Sequence, residues 1–332
     1  MLILGIDTSC DDTGAAIVED GIKIISNVVS SQDEIHEKYG GIVPELASRR
    51  HIELIWPVVT EAMTRAHITF NDIGAIAVTH GPGLIGSLLI GVCFAKSISF
   101  VNQIPLVAVN HLEGHIHAIF LEASPDFPFI ALVVSGGHTS IYRVDDFGVY
   151  REIGRTRDDA AGEAYDKVAK LLGFGFPGGP IIDAIALKGD PLAMTFPKAN
   201  IAGSFDFSFS GIKTSVMNYV KKNPGSKKED IAASFQSSVT DVLIERISEV
   251  VKAEGVKRVV LSGGVSANSA LREKIGHRAI KEGIELFLPS LYLCTDNAAM
   301  IASAGYHHFK QGNYAKYDLN PKAYLPLVSA TG

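Results

Sequence analysis

Two histidines at helical spacing are the strongest chemical signal in this sequence of 332 residues. His111 and His115 stand four residues apart, so a helix would place both imidazoles on one face, close enough to share a metal ion. Imidazole suits iron, zinc and other transition metals. We expect Asp296 to be the third ligand, because it opens a predicted helix after an apolar run. His117 would face away, and the alternative is a polar helix with surface histidines.

A zinc protease uses a similar pair of histidines but places its glutamate differently. In that motif the glutamate directly follows the first histidine, where it acts as a general base beside the metal. Leu112 occupies that position here. Glu113 lies about 200° around the helix from His111. The sequence therefore argues against proteolysis.

Three glycine-containing loops each follow a predicted strand and could bind phosphate. They span residues 7–14, 135–139 and 262–268. Backbone N–H groups in such loops cradle phosphate oxygens, and glycine lets the ligand come close. A single loop of this kind is usually only a turn, but three at related places predict a nucleotide site. The sequence holds no Walker A motif, so a P-loop ATPase is excluded.

An acidic segment follows the second of these loops. Asp159, Glu163 and Asp166 recur at helical spacing and could direct one acidic edge toward a ribose or a metal. The alternative is a solvated helix start, where the helix dipole favours carboxylates. Asp183, just past two glycines, is better placed for ribose hydroxyls. Asn268 in the third loop could hydrogen-bond a purine base.

Two stretches of the chain share one plan of strand, glycine loop, strand and acidic turn. They begin at Leu2 and Phe129, which indicates an internal duplication. The rest of each half alternates strands and helices, as α/β proteins do. We therefore predict two α/β lobes, residues 1–125 and 126–332, with a nucleotide cleft between them. A single Rossmann-type domain fits neither the hairpins nor the lack of a Gly-x-Gly-x-x-Gly sequence.

The overall charge of the chain disfavours a free-standing nucleic-acid binder. The formal net charge is -6, whereas phosphate neutralisation usually requires a basic protein. RNA binding would need a local basic patch or a partner protein. The candidates are Arg49 with Arg50, Arg155 with Arg157, and the lysines at 221, 222, 227 and 228. For any one of them, ordinary solvated surface is the alternative.

Cysteine usage and the amino terminus predict a cytoplasmic protein. The three cysteines have no paired spacing, which fits a reducing compartment. A polar loop begins at Asp7, so no signal peptide fits. The longest apolar stretch runs from Leu84 to Ala95 and stops at Lys96. It is too short to span a bilayer, and we expect no membrane partner.

Taken together, these motifs resemble the bacterial TsaD (Gcp) family of tRNA threonylcarbamoyladenosine synthases. The resemblance covers segments 5–14, 40–49, 111–115, 135–139, 262–268 and 296–300. It implies the actin-like, sugar-kinase and chaperone-ATPase (ASKHA) fold, in agreement with the duplication. It also implies an acyltransferase that moves a threonylcarbamoyl group from threonylcarbamoyl-AMP to tRNA. The acceptor would be the adenosine 3′ of the anticodon in tRNAs that read codons starting with A.

The resemblance also implies roles for individual residues and partners. His111, His115 and Asp296 match the metal ligands, with iron(II) the favoured ion and zinc the alternative. Asp11 is not among those matches; we take it as the candidate proton acceptor for the attacking amine, with a capping or turn role as the alternative. The implied partners are tRNA, a smaller TsaB-like paralogue and a TsaE-like P-loop ATPase. The implied adenylate-binding positions are Val134, Ser135, Gly136, Gly137, His138, Asp166, Gly179, Asp183 and Asn268.

Three other functions remain as alternatives. A sugar or acetate kinase of the same superfamily would use ATP and a catalytic carboxylate, but gives no reason for His111 and His115. A carbamoyltransferase acting on a small molecule is closer to the implied reaction and is harder to exclude. A non-catalytic scaffold that binds nucleotide is disfavoured, because both the metal and the nucleotide motifs are complete.

Overall fold

The computed structural model describes residues 1–198, 201 and 203–327. The chain divides into two compact units. The first comprises Met1–Pro125, Asp146–Val149 and Pro289–Gly332, and the second comprises Asp126–Asp145 and Tyr150–Leu288. We predict a tail for residues 328–332, because they match none of the motifs above; these residues lie outside the described part.

Each half of the chain supplies one five-stranded sheet. The first sheet has the order β3-β2-β1-β4-β5, and the second has the order β10-β9-β6-β7-β8. The strands are β1 (Leu2–Asp7), β2 (Thr13–Glu19), β3 (Lys23–Ser30), β4 (Ile73–Gly81), β5 (Leu106–Asn110), β6 (Phe129–Val134), β7 (Thr139–Asp146), β8 (Val149–Arg155), β9 (Arg258–Ser262) and β10 (Glu285–Phe287).

Eleven α-helices connect and cover the strands in the described residues. They are α1 (Asp33–Glu37), α2 (Pro44–Ala66), α3 (Ile85–Asn102), α4 (His111–His117), α5 (Ala161–Leu171), α6 (Gly178–Ala186), α7 (Ser210–Lys222), α8 (Lys228–Glu254), α9 (Ser269–Glu282), α10 (Leu291–Cys294) and α11 (Ala298–Lys310). Short 3-10 helices lie at Phe70–Asp72, Ala118–Leu121 and Gly264–Ala267.

The two sheets repeat one topology. β1 pairs antiparallel with β2 and parallel with β4, and β6 pairs in the same way with β7 and β9. This confirms the predicted duplication and the α/β class. The sequence did not predict β3 or β8, the third strand of each repeat. Only one residue of β3 and two of β8 are buried, so neither strand carries the fully buried apolar run that marks β1 and β6.

The first unit buries side chains on both faces of its sheet. Successive side chains of a strand point to opposite faces. Leu4 and Ile6 therefore pack in the cluster that contains α2 and α3, whereas Ile3 packs in the cluster that contains α11. This two-sided burial fixes the end of β1, and with it the position of Asp7.

The C-terminal segment differs from the predicted division at residues 125 and 126. The prediction gave everything after residue 125 to one lobe, but Pro289–Gly332 belongs to the first unit. The reason is that α11 is apolar and buries itself against the first sheet. A methyl group on Gly5 would lie 2.2 Å from the carbonyl oxygen of Ala298, so β1 and α11 are in close backbone contact.

The apolar helix α3 is longer than the sequence predicted. It spans 18 residues and does not stop at Lys96, whose Nζ donates to the Leu319 carbonyl oxygen at 3.1 Å. Within the described residues it is the one helix whose length and composition would allow it to cross a membrane. An apolar core helix passes the same test, and Leu88, Val92 and Ala95 of this helix are buried.

Candidate active site

His111, His115 and Asp296 converge in the first unit. Asp296 Oδ1 lies 3.5 Å from His111 Nε2 and 3.2 Å from His115 Nε2. One ligand atom from each of the three residues lies within 4.8 Å of the others. Both imidazoles are buried, whereas Asp296 is partly exposed. The predicted ligand trio is therefore brought together, with solvent access on the carboxylate side.

Local capping interactions position these three side chains. The Asn110 side chain accepts a hydrogen bond from Leu112 N at 2.9 Å and so caps α4 immediately before His111. Asn297 caps α11 in the same way, which places Asp296 at the helix entrance. A methyl group on Gly114 would lie 2.6 Å from Ile301 Cδ1. The glycine between the histidines thus lets α4 lie directly against α11.

Asp7, at the end of β1, faces the other side of the His111 ring. Its Oδ2 lies 3.5 Å from His111 Nδ1. Burial alone would lower the pKa of His111, but the carboxylates of Asp296 and Asp7 outweigh it and raise that pKa to about 9. The site therefore favours a positive charge at the imidazole.

The three residues fit a divalent metal ion. Neither ring nitrogen of His115 makes a hydrogen bond within the described structure, although the ring is fully buried and its Nε2 lies 3.2 Å from Asp296 Oδ1. Buried polar atoms are nearly always paired, so such an atom calls for a ligand. Two imidazoles and one carboxylate form a donor set that iron(II) and zinc both accept.

The loop between β1 and β2 brings two further carboxyl groups to this region. Burial, and then the charge of Asp296, raise the pKa of Asp12 to about 8. Burial also raises the pKa of Asp11 above its usual value. A carboxylate with a raised pKa is a better proton acceptor near neutral pH. The electrostatics of Asp11 thus suit the base role predicted for it, but Asp12 is perturbed as well.

His51 of α2 holds this loop in place. Its Nδ1 lies 2.7 Å from Thr13 Oγ1 and its Nε2 lies 3.0 Å from the Cys10 carbonyl oxygen. Sequence reasoning missed His51, because nothing in the local pattern of α2 indicates which loop its side chain meets. It also missed Asp7, although the residue ends a predicted strand beside the first glycine loop.

Glu113 faces away from the metal trio, as helical geometry predicts. Its Oε2 lies 2.8 Å from Nε2 of His308 on α11. His117 is also turned away, and its ring packs against Phe120 and Phe147. This arrangement agrees with the argument against a metalloprotease, since Glu113 is engaged elsewhere.

The glycine loop after β6 is a tight turn in the second unit. Ser135 N donates to the His138 carbonyl oxygen at 2.8 Å, and His138 N lies 3.2 Å from Ser135 Oγ. A methyl group on Gly162 would lie 2.7 Å from the Cα of Gly136, so α5 begins directly against this loop. A methyl group on Gly263 would lie 2.4 Å from the Val134 carbonyl oxygen, so the third loop also abuts β6.

The predicted ribose and base contacts lie on the elements around these loops. Asp166 of α5 accepts from Gly178 N of α6 at 2.7 Å. Asp183 of α6 accepts from the Ser269 hydroxyl at 2.8 Å and from its backbone N–H at 3.0 Å. Asn268 caps α9, and its amide nitrogen donates to Gln236 Oε1 at 2.8 Å. Each of these residues therefore also joins neighbouring helices.

Several glycines in and beside these loops face open space. A Cβ atom at any of four glycines would have no atom within 4 Å: Gly136, Gly137, Gly179 and Gly264. Backbone that is exposed in this way can approach a phosphate or ribose without steric hindrance. The second unit thus brings the predicted adenylate positions into one neighbourhood, but their roles in binding stay predictions.

Comparison with known proteins gives the family. Residues 23–303 match the TsaD family, described as tRNA N6-adenosine threonylcarbamoyltransferase. A protein of that name from Thermodesulfovibrio yellowstonii is 58% identical over 335 residues, which cover 98% of this chain and 100% of the relative. One from Symbiobacterium thermophilum is 52% identical over 323 residues, which cover 96% of this chain and 95% of the relative.

Solved structures of low identity share the fold. The activator of 2-hydroxyisocaproyl-CoA dehydratase from Clostridium difficile, solved with bound ADPNP, aligns with a TM-score of 0.53 and 18% identity over 94% of this chain and 97% of that one. HypF from T. kodakarensis aligns with a TM-score of 0.65 and 14% identity over 96% of this chain and 49% of that one. These are ASKHA-fold proteins, which confirms the predicted fold class. With a family match across most of its length and full-length relatives above 50% identity, this chain belongs to the TsaD family of tRNA N6-adenosine threonylcarbamoyltransferases.

Proposed function

We propose that this chain takes the threonylcarbamoyl group from threonylcarbamoyl-AMP and transfers it to the adenosine 3′ of the anticodon, in tRNAs reading codons that start with A. Family membership makes the protein an acyltransferase that modifies N6 of adenosine in tRNA. The donor, the position in tRNA, the metal and the individual residue roles are our proposal. The convergence of His111, His115 and Asp296 is the observation that carries it.

The metal trio would hold the reacting end of the donor. A divalent ion bound there, which we propose to be iron(II) with zinc as the alternative, would polarise the carbamoyl carbonyl as a Lewis acid. His111 and His115 are held rigidly by burial and by the Asn110 cap. Asp296 approaches them from the residue pair that precedes α11, and its side chain is partly exposed to solvent.

The second unit would hold the adenylate. We propose that the backbone of Ser135–His138 receives the phosphate and that Asp183 and Asn268 lie near the ribose and base. The open space at the glycines of these loops supports this. Asp166 would act mainly by joining α5 to α6, because its carboxylate already accepts the Gly178 N–H.

The transfer itself requires one bond to form and one to break. The exocyclic amine of adenosine attacks the carbamoyl carbon, AMP leaves, and the amine loses a proton. Because AMP is a good leaving group, positioning and charge stabilisation suffice without a covalent intermediate. We propose Asp11 as the proton acceptor, supported by its raised pKa.

We further propose that the protein works in the cytoplasm with a TsaB-like paralogue and a TsaE-like ATPase. Exposed apolar side chains at i, i+4 spacing on α2 and α3 support a protein partner: Ile52, Trp56, Ile85 and Leu89. Contiguous exposed apolar surface commonly marks protein interfaces. Trp56→Glu should weaken binding of a purified TsaB-like paralogue, whereas Ile280→Glu, at an exposed position of α9, should not.

The combined substitution His111→Ala and His115→Ala tests the metal's role in transfer. We expect loss of tRNA modification with an unchanged fold. Purified protein with its partners would be given synthetic threonylcarbamoyl-AMP and tRNA, and the tRNA nucleosides would be analysed by mass spectrometry. The matched control is His67→Ala with His277→Ala, two exposed positions. Product formation by the His111/His115 variant equal to that of the control would remove the metal from the mechanism.

Asp11→Asn and Asp12→Asn separate the two carboxyl groups of the first loop. If Asp11 takes the proton, its substitution should lower the rate by ~10²–10⁴-fold, and Asp12→Asn should have a smaller effect. The opposite order would transfer the role to Asp12.

A further inference from the structure

A cluster of lysines lies where several helices of the second unit end or begin. Lys170 is in the last turn of α5, Lys188 follows α6, and Lys221 and Lys222 end α7. The ends of α5 and α7 and the start of α8 meet at a groove of about 260 Å³, whose lining includes Leu171, next to Lys170, and Val220 and Asn223, on either side of Lys221 and Lys222. Nζ of Lys227, just before α8, donates to the Lys188 carbonyl oxygen at 3.1 Å.

The four lysines have no ion-pair partner among the described residues. Across the described part of the chain, no carboxylate lies within 4.0 Å of any of their ammonium groups, and all four side chains are exposed. The nearby Asp230 is engaged otherwise, because it accepts from Asp190 N at 2.9 Å and lies 3.6 Å from Lys227. The cluster therefore presents positive charge that no direct ion pair with a described residue neutralises.

The two arginine pairs that the sequence offered for RNA contact are neutralised. Arg49 pairs with Glu45 at 2.7 Å, and Arg50 pairs with Glu53. Arg155 lies 3.8 Å from Glu152 on the same strand. Arg157 pairs with Asp206, which is buried. A carboxylate beside an arginine cancels part of its attraction for a phosphate, so these pairs are weaker candidates.

We propose that the lysine surface, defined by Lys170, Lys188, Lys221 and Lys222, binds the phosphate backbone of tRNA. This rests on tRNA being the acceptor substrate, which the family match supplies. The chain carries a formal net charge of -6, so its overall charge does not attract a polyanion. Binding then requires a place where cations cluster, since neutralised phosphates release counterions and supply most of the affinity.

The salt dependence of binding measures such contacts directly. Each phosphate contact adds ~0.7–0.9 to the slope of log K against log of salt concentration. Replacing all four lysines by alanine should lower that slope by about 2–4. The affinity for tRNA at physiological salt should fall at least ~10-fold.

The experiment is a fluorescence anisotropy titration of labelled tRNA with the full-length protein and its partners. It is repeated at several KCl concentrations between about 50 and 200 mM, a range over which phosphate contacts change the affinity strongly. The matched control replaces four exposed lysines that are scattered elsewhere: Lys257, Lys281, Lys310 and Lys316. A loss of slope and affinity confined to the lysine-surface variant supports the proposal. Unchanged tRNA binding, or an equal loss in the control, overturns it.

Two further measurements separate this proposal from others. Zinc binding by the lysine-surface variant should equal that of the unmodified protein, because the metal trio belongs to the first unit. If tRNA binding is unchanged while binding to anionic lipid vesicles is lost, the surface recognises membranes and the proposal is wrong. If the unmodified protein binds tRNA but transfers no threonylcarbamoyl group, the proposed function fails, and the lysine surface is still tested by binding.

Discussion

The carboxylate of Asp7 lies 3.5 Å from Nδ1 of His111, on the side of the ring opposite Asp296. A carboxylate at the outer nitrogen of a metal-binding histidine orients the ring and increases its basicity. The end of β1 thus supports the start of α4, although more than a hundred residues separate the two in sequence.

Asp7→Asn should weaken zinc binding by ~10–100-fold, because the ring loses its charged support. Competition with a chromogenic chelator would measure the affinity, and Asp7→Glu should lose less because it keeps the charge. Asp206→Asn removes a buried carboxylate from the second unit and serves as the control. Equal zinc affinities of Asp7→Asn and this control would show that Asp7 does not act on the metal site.

The hydrogen bond between Glu113 and His308 should stabilise the contact of α4 with α11. Glu113 is buried and His308 is largely buried. Glu113→Ala should therefore lower the free energy of unfolding by on the order of 1–3 kcal/mol. Urea denaturation of the single variants and of the double variant with His308→Ala would give a coupling energy of about 0.5–3 kcal/mol. Additive effects would mean that the two side chains do not stabilise each other.

His307 should make the protein less stable in acid. Burial, and then the charge of His308, lower the pKa of His307 from 6.5 to about 4. Between those values the unfolded chain binds the proton and the folded chain does not, so stability is full above pH 6.5 and falls as the pH decreases toward 4. His307→Gln should reduce that slope by up to about 1.4 kcal/mol per pH unit. Chemical denaturation at several pH values would measure it, and the exposed His277→Gln is the control. A slope that His307→Gln leaves unchanged would contradict this assignment.

Gly5→Ala should destabilise the first unit strongly. The added methyl group would lie 2.2 Å from the Ala298 carbonyl oxygen and 2.8 Å from Ala302 N, both backbone atoms. Because backbone cannot move aside as a flexible side chain can, we expect a loss of about 1–3 kcal/mol or more. Gly276→Ala in α9 meets no atom within 4 Å and should stabilise by up to ~1 kcal/mol. Thermal denaturation would compare the two, and a Gly5→Ala protein as stable as the original would mean that α11 can shift away from β1.

Local geometry explains which parts of the site were predictable. His111 and His115 share a helix, so their spacing alone places them on one face. The glycine loops follow strands that are buried and apolar, and such strands are visible in the sequence. The repeated plan of both halves then predicts the matched topology of the two sheets.

The parts that were missed depend on contacts between distant segments. Nothing in the pattern of α2 indicates that His51 holds the first loop, and nothing near Asp7 indicates that it faces His111. The return of α11 to the first sheet was missed for the same reason. An apolar helix shows that it will be buried, but not against which sheet.

Because the first unit is built from separate segments of the chain, it cannot complete its fold until late in translation. Its core and its metal ligand Asp296 require residues 289–310, which are synthesised after the whole of the second unit. The second unit, whose segments lie between residues 126 and 288, can therefore fold first. Until residue 310 has been synthesised, the apolar face of the first sheet that packs against α11 stays exposed. We expect chaperones to bind the nascent chain during this time.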